Sequence, residues 1–206
     1  MPHATITPTT DINIVARIRP AADRITQHIE QHLQVLHDVH PASASHCRRV
    51  GRLAQQLARA LGWREDRVAD ACHAGLLHDI GKAAIDTTLL DAPRKLTASE
   101  RAHVDRHVAL GAAMLKGDTM LGHLVEPVAR HHDRFDTHGI ETPLIARLIA
   151  VVDVWDAMTS PRPYAATKSD RKAGDELDRC AGTQFDPVLV DAFLELVERP
   201  RLRLIA

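Results

Sequence analysis

The segment LLHDIGK, residues 76–82, ends an apolar helical run and places His78, Asp79 and Lys82 within five residues. The residues before it, from about 65, carry the apolar spacing of 3.6 residues that is typical of an amphipathic helix. Ionisable side chains at the end of such a helix are costly to bury unless they bind an opposite charge or a metal ion. The segment therefore predicts a helix with a chemical site at its carboxyl end.

The same helical spacing recurs along almost the whole chain of 206 residues, and no stretch alternates long enough to predict a sheet. We expect an all-α bundle of about seven to nine helices that includes an N-terminal amphipathic helix. We further expect a polar tail and this amphipathic helix over residues 1–37, followed by one folded domain over 38–200. The predicted helices cover residues 12–37, 46–61, 65–79, 97–116, 120–132, 143–158, 168–181 and 186 onward.

The charge balance excludes several classes of partner. The chain has 26 basic and 27 acidic residues, so no strong overall field attracts a nucleic-acid polymer or an anionic membrane.

No apolar run reaches the roughly 18 residues of a membrane span, and the N-terminus lacks a signal-peptide pattern. The three cysteines show no C-x-x-C spacing, which argues against a disulfide framework or a zinc knuckle. We expect a cytoplasmic protein.

Histidine is abundant, with 14 residues, and several candidate metal ligands occupy places where packing favours apolar side chains. Asp153, for example, lies between Val152 and Val154 in a strongly apolar helix, where a carboxylate needs a cation or several donors. Imidazole and carboxylate together suit a two-metal centre of iron or manganese type. Such a centre can stabilise both the attacking and the leaving oxygen when a phosphodiester is hydrolysed. The other candidates in this set are His46, His107, His131 and His132.

Seven motifs follow one another along the chain. They are HCRRV at 46–50, LLHDIGKAAI at 76–85, RKLTASE at 94–100, HVALG at 107–111, ARHHDRFD at 129–136, ARLIAVVDVWDAMTSPRPY at 146–164 and FDPVLVDAF at 185–193. Taken together, these motifs resemble the HD-GYP branch of the HD-domain metal-dependent phosphohydrolases over about residues 38–197. The resemblance implies a helical HD-domain bundle that hydrolyses the bacterial second messenger cyclic di-GMP at a centre of two or three iron ions.

The resemblance also implies roles for individual residues. Asp79 matches the carboxylate that bridges the metal ions, and Lys82 matches the catalytic lysine that contacts the scissile phosphate. Arg162 matches an arginine that binds the nucleotide phosphate, and Asp156 matches a carboxylate that holds ligands in place. The implied metal ligands are His46, His78, Asp79, His107, His131, His132 and Asp153.

Three departures from the family pattern affect the expected substrate and metal content. Ile140 and Glu141 follow Gly139 where the family has tyrosine and proline, and Ala165 replaces a cation that contacts phosphate. Ala42 stands where members with three metals carry a glutamate. We therefore expect two divalent metal ions, iron or manganese in preference to zinc, magnesium or nickel.

Three functions remain open at this point. The expected one is a phosphodiesterase of HD-GYP type that hydrolyses a cyclic dinucleotide such as cyclic di-GMP. The alternatives are a hydrolase of another phosphate ester and an inactive module that binds cyclic nucleotides or signalling proteins. A signalling partner or a homodimer through the N-terminal helix also stays open. Solvated positions are expected for His28, His32, His40, Arg48 and Arg49.

Overall fold

The computed structural model describes residues 9–161 and 167–202, with side chains described for 24–161 and 167–198. This part of the chain is helical and contains no strand beyond an isolated bridge between Ala181 and Phe185. The all-α prediction is confirmed. The helices are α1 Thr9–Val39, α2 Pro41–Ala60, α3 Glu65–Leu77, α4 Thr87–Leu90, α5 Ala98–Asp105, α6 His107–Lys116, α7 Val125–Ala129, α8 Phe135–His138, α9 Leu144–Thr159, α10 Asp170–Arg179 and α11 Pro187–Leu202, with 3₁₀ turns at Ile80–Ala84, Gly122–Leu124 and Gly139–Glu141.

Two of the predicted helices are wrong in length. The helix expected over 97–116 is divided at Arg106 into α5 and α6, and the one expected over 120–132 shortens to a 3₁₀ turn followed by α7. At the first break the Val104 carbonyl accepts a hydrogen bond of 2.8 Å from His107 Nδ1. In a continuous helix, this carbonyl would accept from the backbone amide four residues later. Here it accepts from the ring of a candidate ligand instead, and the helix ends at this point.

The core is built around α2, α3 and α9. A Cβ atom on Gly75 of α3 would lie 2.9 Å from the Gly51 Cα atom of α2, so the two backbones touch without side chains between them. The helix α9 lies across this pair, and its Leu148 and Val152 side chains are completely buried. The second half of α1 joins the same core through Leu33 and Leu36.

This packing brings three helix termini and two helix bodies around one point. The point is reached by His46 from within α2, by Asp153 from within α9, and by the residues that follow α3 and α7 or begin α6. Among the described residues, none of the helices combines the length and the hydropathy that a membrane span requires.

Candidate metal centre

Three buried histidines at helix ends share one hydrogen-bonding pattern. Each ring uses Nδ1 to contact the backbone carbonyl three residues earlier: His78 to Gly75 at 2.8 Å, His107 to Val104 at 2.8 Å, and His131 to Val128 at 2.7 Å. A carbonyl oxygen only accepts, so Nδ1 carries the proton in all three rings. Each Nε2 atom of the neutral ring is then left with a free lone pair.

These three Nε2 atoms are buried and have no hydrogen-bond partner among the residues that the structure describes. The rings are close together, with centroids 5.1 Å apart for His78 and His131 and 5.6 Å apart for His107 and His131. A buried polar atom without a partner costs free energy, and three converging ones are unusual in a folded protein. A cation that accepts three imidazole lone pairs removes this cost, so the residues fit a metal ion.

The Asp79 carboxylate lies between two groups of ligand atoms. Its Oδ1 atom is 3.1 Å from His107 Nε2, while its Oδ2 atom is 3.4 Å from His78 Nε2 and 3.7 Å from His46 Nε2. Within each group the ligand atoms lie within 4.8 Å of one another. The groups are His46, His78 and Asp79, and His107, His131 and His132. One carboxylate therefore faces two candidate metal sites.

The orientation of His46 is set by two carboxylates from α9. Its Nε2 atom is 2.9 Å from Asp153 Oδ1, and its Nδ1 atom donates to Asp156 Oδ2 at 2.7 Å. Asp156 also accepts from Arg49 at 2.7 and 2.9 Å and from Ser160 at 2.9 Å. Burial raises the pKa of the Asp156 carboxyl, but these donors outweigh it and bring the pKa to about 2. Asp156 is thus ionised and fixes the imidazole that points Nε2 inward.

Lys82 contacts the central carboxylate directly. Its Nζ atom is 2.5 Å from Asp79 Oδ2, and the side chain remains about one fifth exposed. Burial alone would raise the pKa of Asp79, yet the positive charge of Lys82 holds it well below the usual range. The carboxylate is therefore available as an anionic ligand, and the ammonium group can reach both Asp79 and the adjacent solvent.

The ring of His131 has the opposite electrostatic environment. Burial lowers the pKa of His131 well below its usual value, and the neighbouring His78 and His132 rings lower it further. Burial also lowers the pKa of His132. Both imidazoles are then neutral near pH 7, which is the state that binds a metal ion.

The structure brings together every predicted site residue whose side chain it describes. Arg162 and Ala165 lie outside the described residues, so the predicted phosphate contact of Arg162 stays a prediction. The altered loop forms α8 and a 3₁₀ turn, in which Gly139 has a φ of 51° and Ile140 is 82% exposed. Ala42 lines a cavity beside the metal centre.

Three polar residues predicted at solvated positions form hydrogen bonds or ion pairs with other side chains. Arg49 binds Asp156 with two hydrogen bonds, and the ring of His40, 12% exposed, lies between Ser43 at 2.8 Å and Asp91 at 3.2 Å. His28 binds Asp118 at 2.7 Å. Arg49 lies three residues after His46 on α2, and that spacing was the one available signal that it shares a helix face with a predicted ligand.

The sequence of this chain matches a known protein family. The family model described as HD domain matches residues 23–189. A cyclic di-GMP phosphodiesterase of Pseudomonas aeruginosa is 40% identical over 151 residues, which are 68% of this chain and 36% of that protein. A 3'3'-cGAMP-specific phosphodiesterase of Vibrio cholerae is 32% identical over 162 residues, which are 74% of this chain and 31% of that protein.

A third relative and a solved structure extend the comparison. A cyclic di-GMP phosphodiesterase of Thermotoga maritima is 34% identical over 160 residues, or 73% of this chain and 44% of that protein. The chain thus spans less than half of the length of each of these three relatives. The crystal structure of a cyclic GMP-AMP-specific phosphodiesterase from V. cholerae has a TM-score of 0.63 at 18% identity, covering 86% of this chain and 49% of that one, and so shares the fold. This chain, with its histidines converging beside Asp79, belongs to the HD-domain family.

Proposed function

We propose that this chain is a metal-dependent phosphodiesterase of HD-GYP type that hydrolyses a cyclic dinucleotide such as cyclic di-GMP. The observation that carries the proposal is the set of three buried Nε2 atoms, on His78, His107 and His131, that converge beside Asp79 and have no hydrogen-bond partner in the described part of the chain. The names of the relatives, which act on cyclic di-GMP or cGAMP, support the choice of substrate class.

We propose that the site takes two divalent transition-metal ions, iron or manganese, one at each group of ligand atoms. When bound, such ions act as Lewis acids that stabilise negative charge on the oxygens of a phosphodiester. The imidazoles and carboxylates of the site form a donor set that suits these metals. The proposed ligands are His46, His78, Asp79, His107, His131, His132 and Asp153.

The chain's own residues prepare the site for an anionic substrate. Asp156 holds His46 in place, and three backbone carbonyls hold His78, His107 and His131, so little reorganisation accompanies binding. Lys82, held at Asp79, is placed to donate to a phosphoryl oxygen as charge develops there. The proposed role of Arg162 is to bind the nucleotide phosphate.

The test is product formation from cyclic di-GMP by protein purified without oxygen and loaded with iron or manganese. The linear dinucleotide should form with the wild type and not with Asp79→Ala, which removes the carboxylate between the two groups. Product in equal amounts from both proteins would contradict the proposed centre.

A negative result would also be informative. If the wild type binds metal but forms no product from cyclic di-GMP or 3'3'-cGAMP, the substrate is not a cyclic dinucleotide. Hydrolysis of bis(p-nitrophenyl) phosphate would then indicate a hydrolase of another phosphate ester, and its absence would indicate a module without turnover.

A further inference from the structure

A cavity of about 560 Å³ opens directly from the metal centre, since His46 and Lys82 form part of its wall. This volume lies in the usual range for sites that bind ligands of drug or nucleotide size, and it is far larger than one phosphate group requires. The part of the substrate that is not cleaved therefore has a defined place to lie. The far wall of the cavity comes from residues 90–95 and from Arg101 on α5.

The far wall is held in position at both ends. Asp91 binds His40 at the start of α2 with a distance of 3.2 Å. Arg94 binds both carboxylate oxygens of Glu100 at 2.8 and 2.7 Å, and Glu100 also closes a capping box with Thr97. These contacts fix the segment between α4 and α5 against the body of the protein.

The cavity wall carries an excess of positive charge that the protein itself does not neutralise. Five of the lining side chains are cationic, and three of these already bind carboxylates: Arg49 binds Asp156, Lys82 binds Asp79 and Arg94 binds Glu100. Lys95 and Arg101 form no ion pair with any residue that the structure describes. Both side chains are exposed and both line the cavity. Two unpaired cations on one wall attract an anion into the space between them and the metal centre.

We propose that Lys95 and Arg101 bind the second, uncleaved phosphate of a cyclic dinucleotide whose first phosphate lies at the metal centre. This inference rests on the proposed function and adds residues that determine specificity for a substrate with two phosphates. Lys95 acts as a point charge, whereas the planar guanidinium of Arg101 can donate two parallel hydrogen bonds to phosphate oxygens. Substrates with one phosphate reach the metal centre but do not use this pair.

The experiment compares binding and turnover in manganese-loaded protein with Lys95→Ala, Arg101→Ala and the double variant. Binding of cyclic di-GMP is measured by calorimetry, and kcat/KM is measured for cyclic di-GMP and for bis(p-nitrophenyl) phosphate, which has one phosphate. Each single substitution should weaken binding and lower the ratio of the two kcat/KM values by about three- to tenfold, because solvent weakens the contact of an exposed cation with phosphate to about that of an ordinary hydrogen bond. Lys95→Arg and Arg101→Lys should restore much of the ratio.

Arg52→Ala and Lys116→Ala are the matched controls, because both residues are exposed cations that do not line the cavity. They should change neither the affinity nor the ratio. Wild-type affinity and ratio in the Lys95 and Arg101 alanine variants, with normal turnover, would overturn the inference and leave the proposed function intact. Weakened binding in those variants without turnover in the wild type would support the inference and contradict the proposed function. If the wild type neither binds nor cleaves cyclic di-GMP or 3'3'-cGAMP, both are overturned.

Discussion

At the scale of single residues, the candidate centre depends on how each imidazole is held. His78, His107 and His131 use the same device, a hydrogen bond from Nδ1 to a carbonyl three residues earlier at a helix end. Helix ends supply such carbonyls, because the last four lack an intrahelical partner. The protein thereby fixes the tautomer of each ring with its backbone, and only the lone pairs on Nε2 remain for a ligand.

Substitution of Asp79 and of Lys82 should separate metal binding from catalysis. Asp79→Asn keeps the shape of the side chain but removes the charge between the two groups, so we expect the metal content to fall from about two ions per chain to less than one. Lys82→Ala should keep its metal, while kcat falls by roughly a hundredfold because a donor to the phosphoryl oxygens is lost. Elemental analysis and turnover on the same samples check both. Equal metal content in Asp79→Asn and wild type would contradict the central position of Asp79.

At the scale of elements, the 3₁₀ turn Ile80–Ala84 and the helix α6 approach each other without side chains between them. A Cβ atom on Gly81 would lie 2.0 Å from the His107 carbonyl oxygen and 2.5 Å from the Gly111 amide nitrogen. Asp79 directly precedes the turn and His107 begins α6, so this contact helps to hold Asp79 Oδ1 3.1 Å from His107 Nε2. The glycine in LLHDIGK is thus required by packing, and the geometry of the candidate metal centre depends on it.

Gly81→Ala should therefore damage both the fold and the site. Because the new methyl group meets backbone that cannot rotate away, we expect the free energy of unfolding to fall by about 3 kcal/mol and the metal content to fall with it. The matched control is Gly122→Ala, where the added Cβ meets nothing within 4 Å and the change should stay within about 1 kcal/mol. Urea denaturation of both variants measures the difference. A Gly81→Ala protein as stable as Gly122→Ala would refute the close contact.

The start of α5 should show a pH-dependent contribution to stability. Hydrogen bonds from Arg94 and Thr97 lower the pKa of the Glu100 carboxyl from 4.5 to about 2. Between these values the unfolded chain binds a proton that the folded chain does not, so the contribution is complete above about pH 4.5 and is lost as the pH falls toward 2. Glu100→Gln removes this charge but keeps an acceptor for the capping box. The stability difference between wild type and Glu100→Gln should therefore shrink from about pH 7 to about pH 3, as measured by urea denaturation. A difference that stays constant with pH would contradict this account.

At the scale of the whole molecule, the carboxyl half of α1 contributes to the core that supports the site. Leu33 and Leu36 are completely buried, and Ile29 is 2% exposed. His28 adds a polar contact, a hydrogen bond to Asp118 beyond the end of α6. The division predicted between residues 37 and 38 remains a prediction, and this packing bears on whether the two parts unfold together.

Leu33→Ala should destabilise the whole chain in one cooperative step. Loss of a fully buried leucine leaves a cavity, and we expect the free energy of unfolding to fall by about 2–5 kcal/mol. Val35→Ala is the matched control on the same helix, since Val35 is 50% exposed and its truncation should cost less than about 0.5 kcal/mol. Fluorescence of the two tryptophans and circular dichroism should report the same transition. If Leu33→Ala left that transition unchanged, α1 would be a separate unit.

The helical class and the residue types of the site could be predicted from the sequence, because both follow from local patterns. Apolar spacing of 3.6 residues indicates helices. A carboxylate such as Asp153 within an apolar helix indicates a buried cation or hydrogen-bond donor, because a buried charge without one is costly. Helix lengths near the site were predicted less well. At the break at Arg106, the His107 ring binds a helix carbonyl in place of a backbone amide, and apolar spacing does not reveal such a contact.

Only the tertiary structure decided which groups face one another. Asp79 lies between two groups of imidazoles, Arg49 lies on Asp156, and Lys95 and Arg101 are left unpaired on a cavity wall. Such relations join residues far apart in the chain, 107 positions for Arg49 and Asp156, and no local pattern encodes such a distance. The sequence by itself determined a helical protein rich in metal-binding side chains. The packing of α2, α3, α6, α7 and α9 determined their distances and exposure, on which the pKa values and the binding chemistry depend.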